Sequence, residues 1–145
     1  MYSFLMDGAY AGLAAGAILT FLSHVTPRIG AGNFIKEPDP ATFFGRQLTR
    51  RESHLIGVLI HLFLSLLYGI LFAFGVVQGW VTFSLLPILA WSVVLLVFAG
   101  LIVMPLEGHG FFGTKHDPWF ALDVFLTNIL WGLIYLGLIR LWLPM

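Results

Sequence analysis

The sequence predicts an all-α, polytopic integral membrane protein, and three observations carry that prediction. Hydrophobic residues make up 59% of the 145-residue chain and charged residues only 10%, where a soluble domain carries about a quarter charged residues. Four mostly apolar stretches are each long enough, as helices of about 20 residues, to cross a ~30 Å hydrocarbon core. The few charges gather between these stretches. Too few polar residues remain to build the hydrated shell of a soluble enzyme. Seven Lys+Arg against seven Asp+Glu leave a formal net charge of zero, which does not suit nucleic-acid binding, a function that depends on clustered positive charge. The absence of Cys excludes disulfides, thiolate metal ligands and thiol catalysis.

The first span covers residues 6–25, is rich in Gly and Ala, and is stopped by Pro27. No Lys or Arg precedes it, so it lacks the basic n-region of a cleavable signal peptide and reads as retained. Gly8, Gly12 and Gly16 recur every four residues, with Ala11 and Ala15 beside them. Small residues at that spacing let helix backbones approach closely in lipid. In the connection that follows, Phe43, Phe44 and Leu48 fall near one face of a helix and Arg46 and Arg50 on another. A short interfacial helix over about residues 41–55 is expected, with Arg46, Arg50 and Arg51 toward anionic lipid.

The second span covers residues 53–77 and carries an i+4 stripe of Gly57, His61, Ser65, Gly69 and Ala73. This stripe is expected to pack against another helix through Gly57 and Gly69. Only Gln78, Gly79 and Trp80 separate it from the third span, residues 81–104, so the two form a tight antiparallel hairpin. A second connection, residues 105–117, leads to the fourth span, residues 118–143, where Asp123, Thr127 and Asn128 lie close together on the helix surface. Trp80 and Trp142 at one boundary and Trp119 at the other suit interfacial anchoring, whereas Trp91 and Trp131 sit deeper.

Six of the seven basic residues, Arg28, Lys36, Arg46, Arg50, Arg51 and Lys115, lie in the two long connections, and Arg140 alone lies at the other face. The positive-inside rule puts both connections in the cytoplasm and both termini outside, in a multi-pass inner-membrane protein. All five histidines fall on the cytoplasmic side.

Residues 27–40, PRIGAGNFIKEPDP, match residues 105–118, PLEGHGFFGTKHDP, at six of fourteen positions without a gap. A polar residue, two apolar ones, an aromatic and a glycine then recur as Ser65-Leu66-Leu67-Tyr68-Gly69 and Asn128-Ile129-Leu130-Trp131-Gly132. The chain therefore reads as a four-helix bundle of two tandem two-helix hairpins, about residues 1–79 and 80–145. Halves with an even number of spans share one orientation, as in parallel repeats. Pro27 and Pro105 ending helices, Gly30 and Gly108 in left-handed turns, and Asp-Pro caps account for most of the loop matches. A phosphate-cradling role for the Gly-x-Gly turns has no P-loop or Rossmann context behind it.

His61 and Asp123 lie at comparable depths, about 8–12 Å below the cytoplasmic ends of their helices at 1.5 Å per residue. An ionisable group there costs a few kcal/mol unless paired. The two are expected to be partners, with His24 as a third member, and Ser65, Thr127 and Asn128 completing an intramembrane polar site. The alternative is that these groups are hydrogen-bonded glue. His54, Glu107, His109, His116 and Asp117 form a polar cluster in the cytoplasmic connections. His54 and His61 share a helix face, and His24 with His61 is the pair considered for haem, but no metal-ligand spacing of the His-x-x-x-His kind occurs. No nucleophile–base pair is evident, so neither catalysis nor a cofactor is expected.

Two patches, His61 followed by Tyr68-Gly69, and the run Met104-Pro105-Leu106-Glu107-Gly108-His109-Gly110-Phe111-Phe112-Gly113, resemble small uncharacterised four-helix bacterial inner-membrane protein families. The fourth span departs from that pattern, with Asp123 and Asn128 in place of a His. The resemblance implies an integral membrane protein and carries no established activity. The leading functional expectation is a non-enzymatic membrane component that works through helix packing, as a homo-oligomer or as an accessory subunit among other membrane proteins. It is motivated by the Gly8/Gly12/Gly16 face. The alternatives are a small oligomeric transporter or proton-linked channel using His61 and Asp123, and a haem- or metal-binding redox subunit.

Overall fold

A computed structural model describes residues 2–25, 42–43, 46–106, 108–115 and 119–142. Among the described residues the elements are helices apart from one pair of two-residue strands, and four helices are long and apolar enough to cross a membrane. Helix α1 runs Tyr2–Val25, α2 Arg50–Val77, α3 Leu85–Phe98, α4 Met104–Leu106 and α5 Phe120–Trp142. Leu59, Phe63, Leu86 and Leu126 are among the many large apolar side chains left exposed, as a lipid-facing surface requires.

The first connection differs from expectation. In place of an interfacial helix, β1 (Thr42–Phe43) pairs antiparallel with β2 (Arg46–Gln47). A helix through this region would have to continue into α2, and Thr49 prevents that by acting as the α2 N-cap in extended conformation (φ −64°, ψ 157°). Glu52 N–H donates to Thr49 Oγ1 at 3.3 Å, and Thr49 N–H donates back to Glu52 Oε2 at 2.9 Å. This reciprocal capping box satisfies two donors that a helix start leaves unpaired. Glu52 also receives Arg46 at 3.0 Å, so β2 is tied to the first turn of α2.

Helix α2 ends through Gly79 (φ +75°): Gly79 N–H reaches Val76 O at 3.0 Å and Trp80 N–H reaches Gly75 O at 2.9 Å. This is a Schellman motif, which needs the left-handed residue that glycine supplies. Beyond it α3 carries Pro87 in its first turn, where a missing N–H costs nothing. Pro105 is a different case, because its ring crowds the carbonyl four residues back. Residues Ala99–Val103 widen into a π-helical turn just before it, with Met104 N–H bonded to Ala99 O. The chain leaves α4 through a second Schellman motif, Gly108 N–H to Pro105 O and His109 N–H to Met104 O, with Gly108 at φ +86°. Gly108 thus takes the left-handed conformation expected of it.

Phe112, the one non-glycine described residue with positive φ (+50°), lies with its ring against Gly100 in the π turn. A side chain at position 100 would occupy the space of that ring. The core sits among α1, α2, α3 and α5, around Ala11, Ala15, Phe72, Ile88, Trp131, Tyr135 and Ile139. Helix α1 packs on α2 and α5, and α3 packs on α5. Trp131 is buried while Trp80 and Trp119 are largely exposed, the division expected between packing and interfacial tryptophans.

Candidate functional site

The glycine face of α1 meets the second span. A Cβ on Gly12 would lie 3.0 Å from the Gly69 Cα and closer still to the Ser65 carbonyl. On Gly8 it would meet Ala73 Cβ at 2.5 Å, and on Gly16 the Ser65 Oγ at 2.5 Å. Ser65, Gly69 and Ala73 of α2 therefore form the complementary surface, and the seam is used up inside one chain. Gly57, expected in the same stripe, departs from it: it is exposed, and a Cβ there would touch nothing within 4 Å.

His61 follows the seam. Its ring lies against Gly16, with Nε2 3.7 Å from a Cβ placed there. Asp123 is exposed on α5, and its carboxylate has neither hydrogen bond nor ion pair among the described residues. The expected His61–Asp123 pair is therefore not formed. The i+4 stripe sets His61 against Gly16 of α1, and Asp123 is exposed on α5. Thr127 Oγ1 donates to the Asp123 carbonyl at 2.8 Å, an intrahelical bond. Asn128 accepts Ser92 Oγ at its backbone carbonyl at 3.2 Å, while its side-chain Nδ2 is buried without a partner.

Two polar contacts that sequence reasoning missed bind α5 to the glycine seam. Trp131 Nε1–H donates to the Gly12 carbonyl at 3.3 Å, and Tyr135 Oη–H donates to the Gly69 carbonyl at 3.0 Å. Glycine carries no side chain to cover its carbonyl, so an aromatic donor on a third helix can reach it. Trp131 and Tyr135, one turn apart, stack with centroids 5.0 Å apart and planes within 9°. The spacing of Trp131 and Tyr135 was visible in the sequence, but nothing in it identified their acceptors.

At the end of the molecule that carries the long connections, His24 and His54 come together. Their Nε2 atoms are 3.0 Å apart and their rings meet edge-on, centroids 4.9 Å apart. His24 Nδ1 lies 2.6 Å from the Thr20 carbonyl. A carbonyl can only accept, so in the neutral pair His24 Nδ1 holds its proton, its Nε2 accepts, and His54 Nε2–H donates. The helix partner of His24 is thus His54, not His61. His109 lies in the bend after α4, where its carbonyl accepts Lys115 N–H at 3.0 Å. Glu107, His116 and Asp117 lie outside the described residues, as do Phe44 and the side chains of Phe43 and Arg50. Arg46 and Arg51 are exposed beside the start of α2. Among the described residues no group of three or more His, Asp or Glu side chains is placed to hold a metal. No family model, curated protein or solved structure matches the chain.

Proposed function

We propose that the chain is a non-enzymatic inner-membrane protein that works through helix packing as an accessory subunit of a larger membrane assembly. The observation that carries this reading is the outward stripe of α5. Asp123, Leu126, Leu130 and Leu133 are exposed at spacings of three and four residues, the repeat of a helix–helix seam. Other polar groups of the spans turn inward to backbone carbonyls, as Trp131, Tyr135 and Ser92 do. Asp123, exposed on this stripe, does not. A carboxylate on a lipid-facing stripe costs up to about 3 kcal/mol toward the bilayer centre and less near the interface, a cost that a donor on a neighbouring helix removes. Self-association along this stripe, with copies in one orientation, would set two Asp123 carboxylates side by side. That repulsion favours a different partner chain over a homo-oligomer.

The reading includes a four-helix bundle of two parallel hairpin repeats with both termini outside the cytoplasm. Its support is a correspondence between the halves. Gly69 meets Gly12 and Ser65 meets Gly16 in the first, and Gly132 meets Ile88 and Asn128 meets Ser92 in the second. An offset of 76 residues relates Gly12 to Ile88 and Gly16 to Ser92, and one of 63 relates Ser65 to Asn128 and Gly69 to Gly132. Tyr68 and Trp131, equivalent under the second offset, meet edge-to-face with centroids 6.3 Å apart. Such a meeting is expected of residues beside an axis along the membrane normal.

A photo-crosslinking residue at Leu126 or Leu130 should give an adduct with a second protein in native membranes, one weakened by Asp123→Leu. The same probe at Val93 or Val94, exposed on α3, should give none. Equal labelling from both helices, or adducts with lipid alone, would remove the case. No observation favours a transporter built on His61 and Asp123.

A further inference from the structure

We infer that His24 and His54 form a binding site for a borderline divalent transition metal ion, of the Zn2+, Ni2+ or Cu2+ class, at the end of the molecule carrying the long connections. The inference is independent of the accessory-subunit reading, since it concerns the α1–α2 junction and not α5.

The geometry is already close to that of a chelate. Two imidazole nitrogens bound to one tetrahedral Zn2+ at 2.0–2.1 Å sit about 3.3 Å apart. The two Nε2 atoms are 3.0 Å apart, so opening the pair by a few tenths of an ångström admits the ion. His54 carries its proton on Nε2 in the neutral pair; on binding, that proton moves through solvent to His54 Nδ1, so both Nε2 lone pairs are free for the ion and both ligands stay neutral imidazoles.

His24 is also oriented from behind. Its Nδ1–H donates to the Thr20 carbonyl at 2.6 Å, which fixes the tautomer and leaves the Nε2 lone pair aimed at His54. A backbone carbonyl on the far ring nitrogen is the usual outer partner of a metal-ligating histidine, and it raises the basicity of the ligand. Thr20 itself is held in the same helical turn by donation of its hydroxyl to Gly16 O at 2.9 Å.

The donor set selects the ion. Imidazole suits Zn, Ni and Cu, whereas Mg2+ and Ca2+ call for oxygen ligands. Both rings are exposed, so an aqueous ion reaches them directly and water completes the coordination shell. The ligands come from separate helices, His24 from the last turn of α1 and His54 from the first turns of α2. A bound ion therefore clasps the two ends of the first connection together, and binding the folded form alone raises stability by mass action.

The test uses the full chain in detergent or nanodiscs, with Zn2+ as titrant and Cu2+ as spectroscopic probe. One Zn2+ per chain is expected to bind in the micromolar range and to raise the thermal midpoint. His24→Ala and His54→Ala should each lower the affinity by about tenfold or more, while His109→Ala leaves it unchanged. Cu2+ electron paramagnetic resonance of the unaltered protein should show coupling to two imidazole nitrogens, a reading that does not depend on any variant folding. Zn2+ binding that survives either single substitution, an equal loss in His109→Ala, a one-nitrogen copper spectrum, or no binding at millimolar Zn2+ would each overturn the inference.

Discussion

The two interfaces of α2 are built on opposite plans. Toward α1 the backbones touch: Gly8, Gly12 and Gly16 lie on Ser65, Gly69 and Ala73, with no room for a further carbon at Gly12. Toward α3, its neighbour in sequence, α2 stands off and fills the gap with rings. Phe72 meets Phe83 at 5.7 Å and Trp91 at 5.9 Å between centroids, and Tyr68 meets Phe98 at 6.0 Å. In lipid no hydrophobic force draws helices together, so association depends on van der Waals packing and interhelical hydrogen bonds. The glycine seam maximises close contact and uncovers carbonyls for Trp131 and Tyr135. The aromatic side uses contact area alone. A short connection therefore did not decide which helices lie closest; residue size did.

The sharpest way to break this contrast is to add one carbon to the seam. Gly12→Ala should cost about 2–3 kcal/mol, at the upper end of ordinary overpacking, because the atoms it meets belong to the Ser65 and Gly69 backbone and cannot rotate away. Reversible unfolding in mixed micelles, followed by circular dichroism, measures it. Gly100→Ala tests the same rule at the second connection, where the obstacle is the Phe112 ring. A ring can move, so the expected loss is smaller, about 1–2 kcal/mol, with greater protease access to the 108–115 segment as its local sign. On the aromatic side, Phe72→Leu changes shape inside a looser interface and should cost about 1–1.5 kcal/mol. Were Phe72→Leu to cost more than Gly12→Ala, the ranking of the two interfaces would be reversed.

These differences also explain what could be read from the sequence. The four apolar spans were legible because length and hydropathy are local properties, and the glycine periodicity of α1 identified a packing face. The partner of that face was the matching stripe on α2, which was equally periodic. What escaped depends on how local rules compete. Phe43, Leu48, Arg46 and Arg50 are spaced for an amphipathic helix, yet Thr49-Arg50-Arg51-Glu52 is a capping box that starts α2 afresh at Arg50 and leaves Thr42–Phe43 and Arg46–Gln47 to a strand pair. His61 and Asp123 matched in depth, but depth says nothing about azimuth, and the azimuth of His61 is set by the small-residue stripe it belongs to. His24 and His54 could not be paired on sequence grounds, because 30 residues separate them and they stand at the ends of two different spans.

The hydrogen bonds from α5 separate packing from polar glue within the seam itself. Tyr135→Phe keeps the stacked ring and the buried volume but removes the donor to Gly69 O. Interhelical hydrogen bonds in membranes average about 0.6 kcal/mol, so a loss of about 0.5–1 kcal/mol is expected in the same unfolding assay. A value above that of Gly12→Ala would mean that α5 donors, not backbone contact, hold α1 to α2.

The smallest effect, and the one of opposite sign, belongs to Gly57. It shares the i+4 stripe of Ser65 and Gly69, so a rule based on sequence spacing alone predicts that Gly57→Ala should damage packing as Gly12→Ala does. Its surroundings predict otherwise: nothing lies within 4 Å of a Cβ at this position, so no clash opposes the substitution. Alanine loses less backbone entropy than glycine in a helix, by up to about 1 kcal/mol in exposed helix interiors in water, and a fraction of that should appear here as a gain in stability. A measured loss comparable to that of Gly12→Ala would show that the first turns of α2 pack on something beyond this chain. That result would move the contact surface of the protein from α5 to the His54 end of α2.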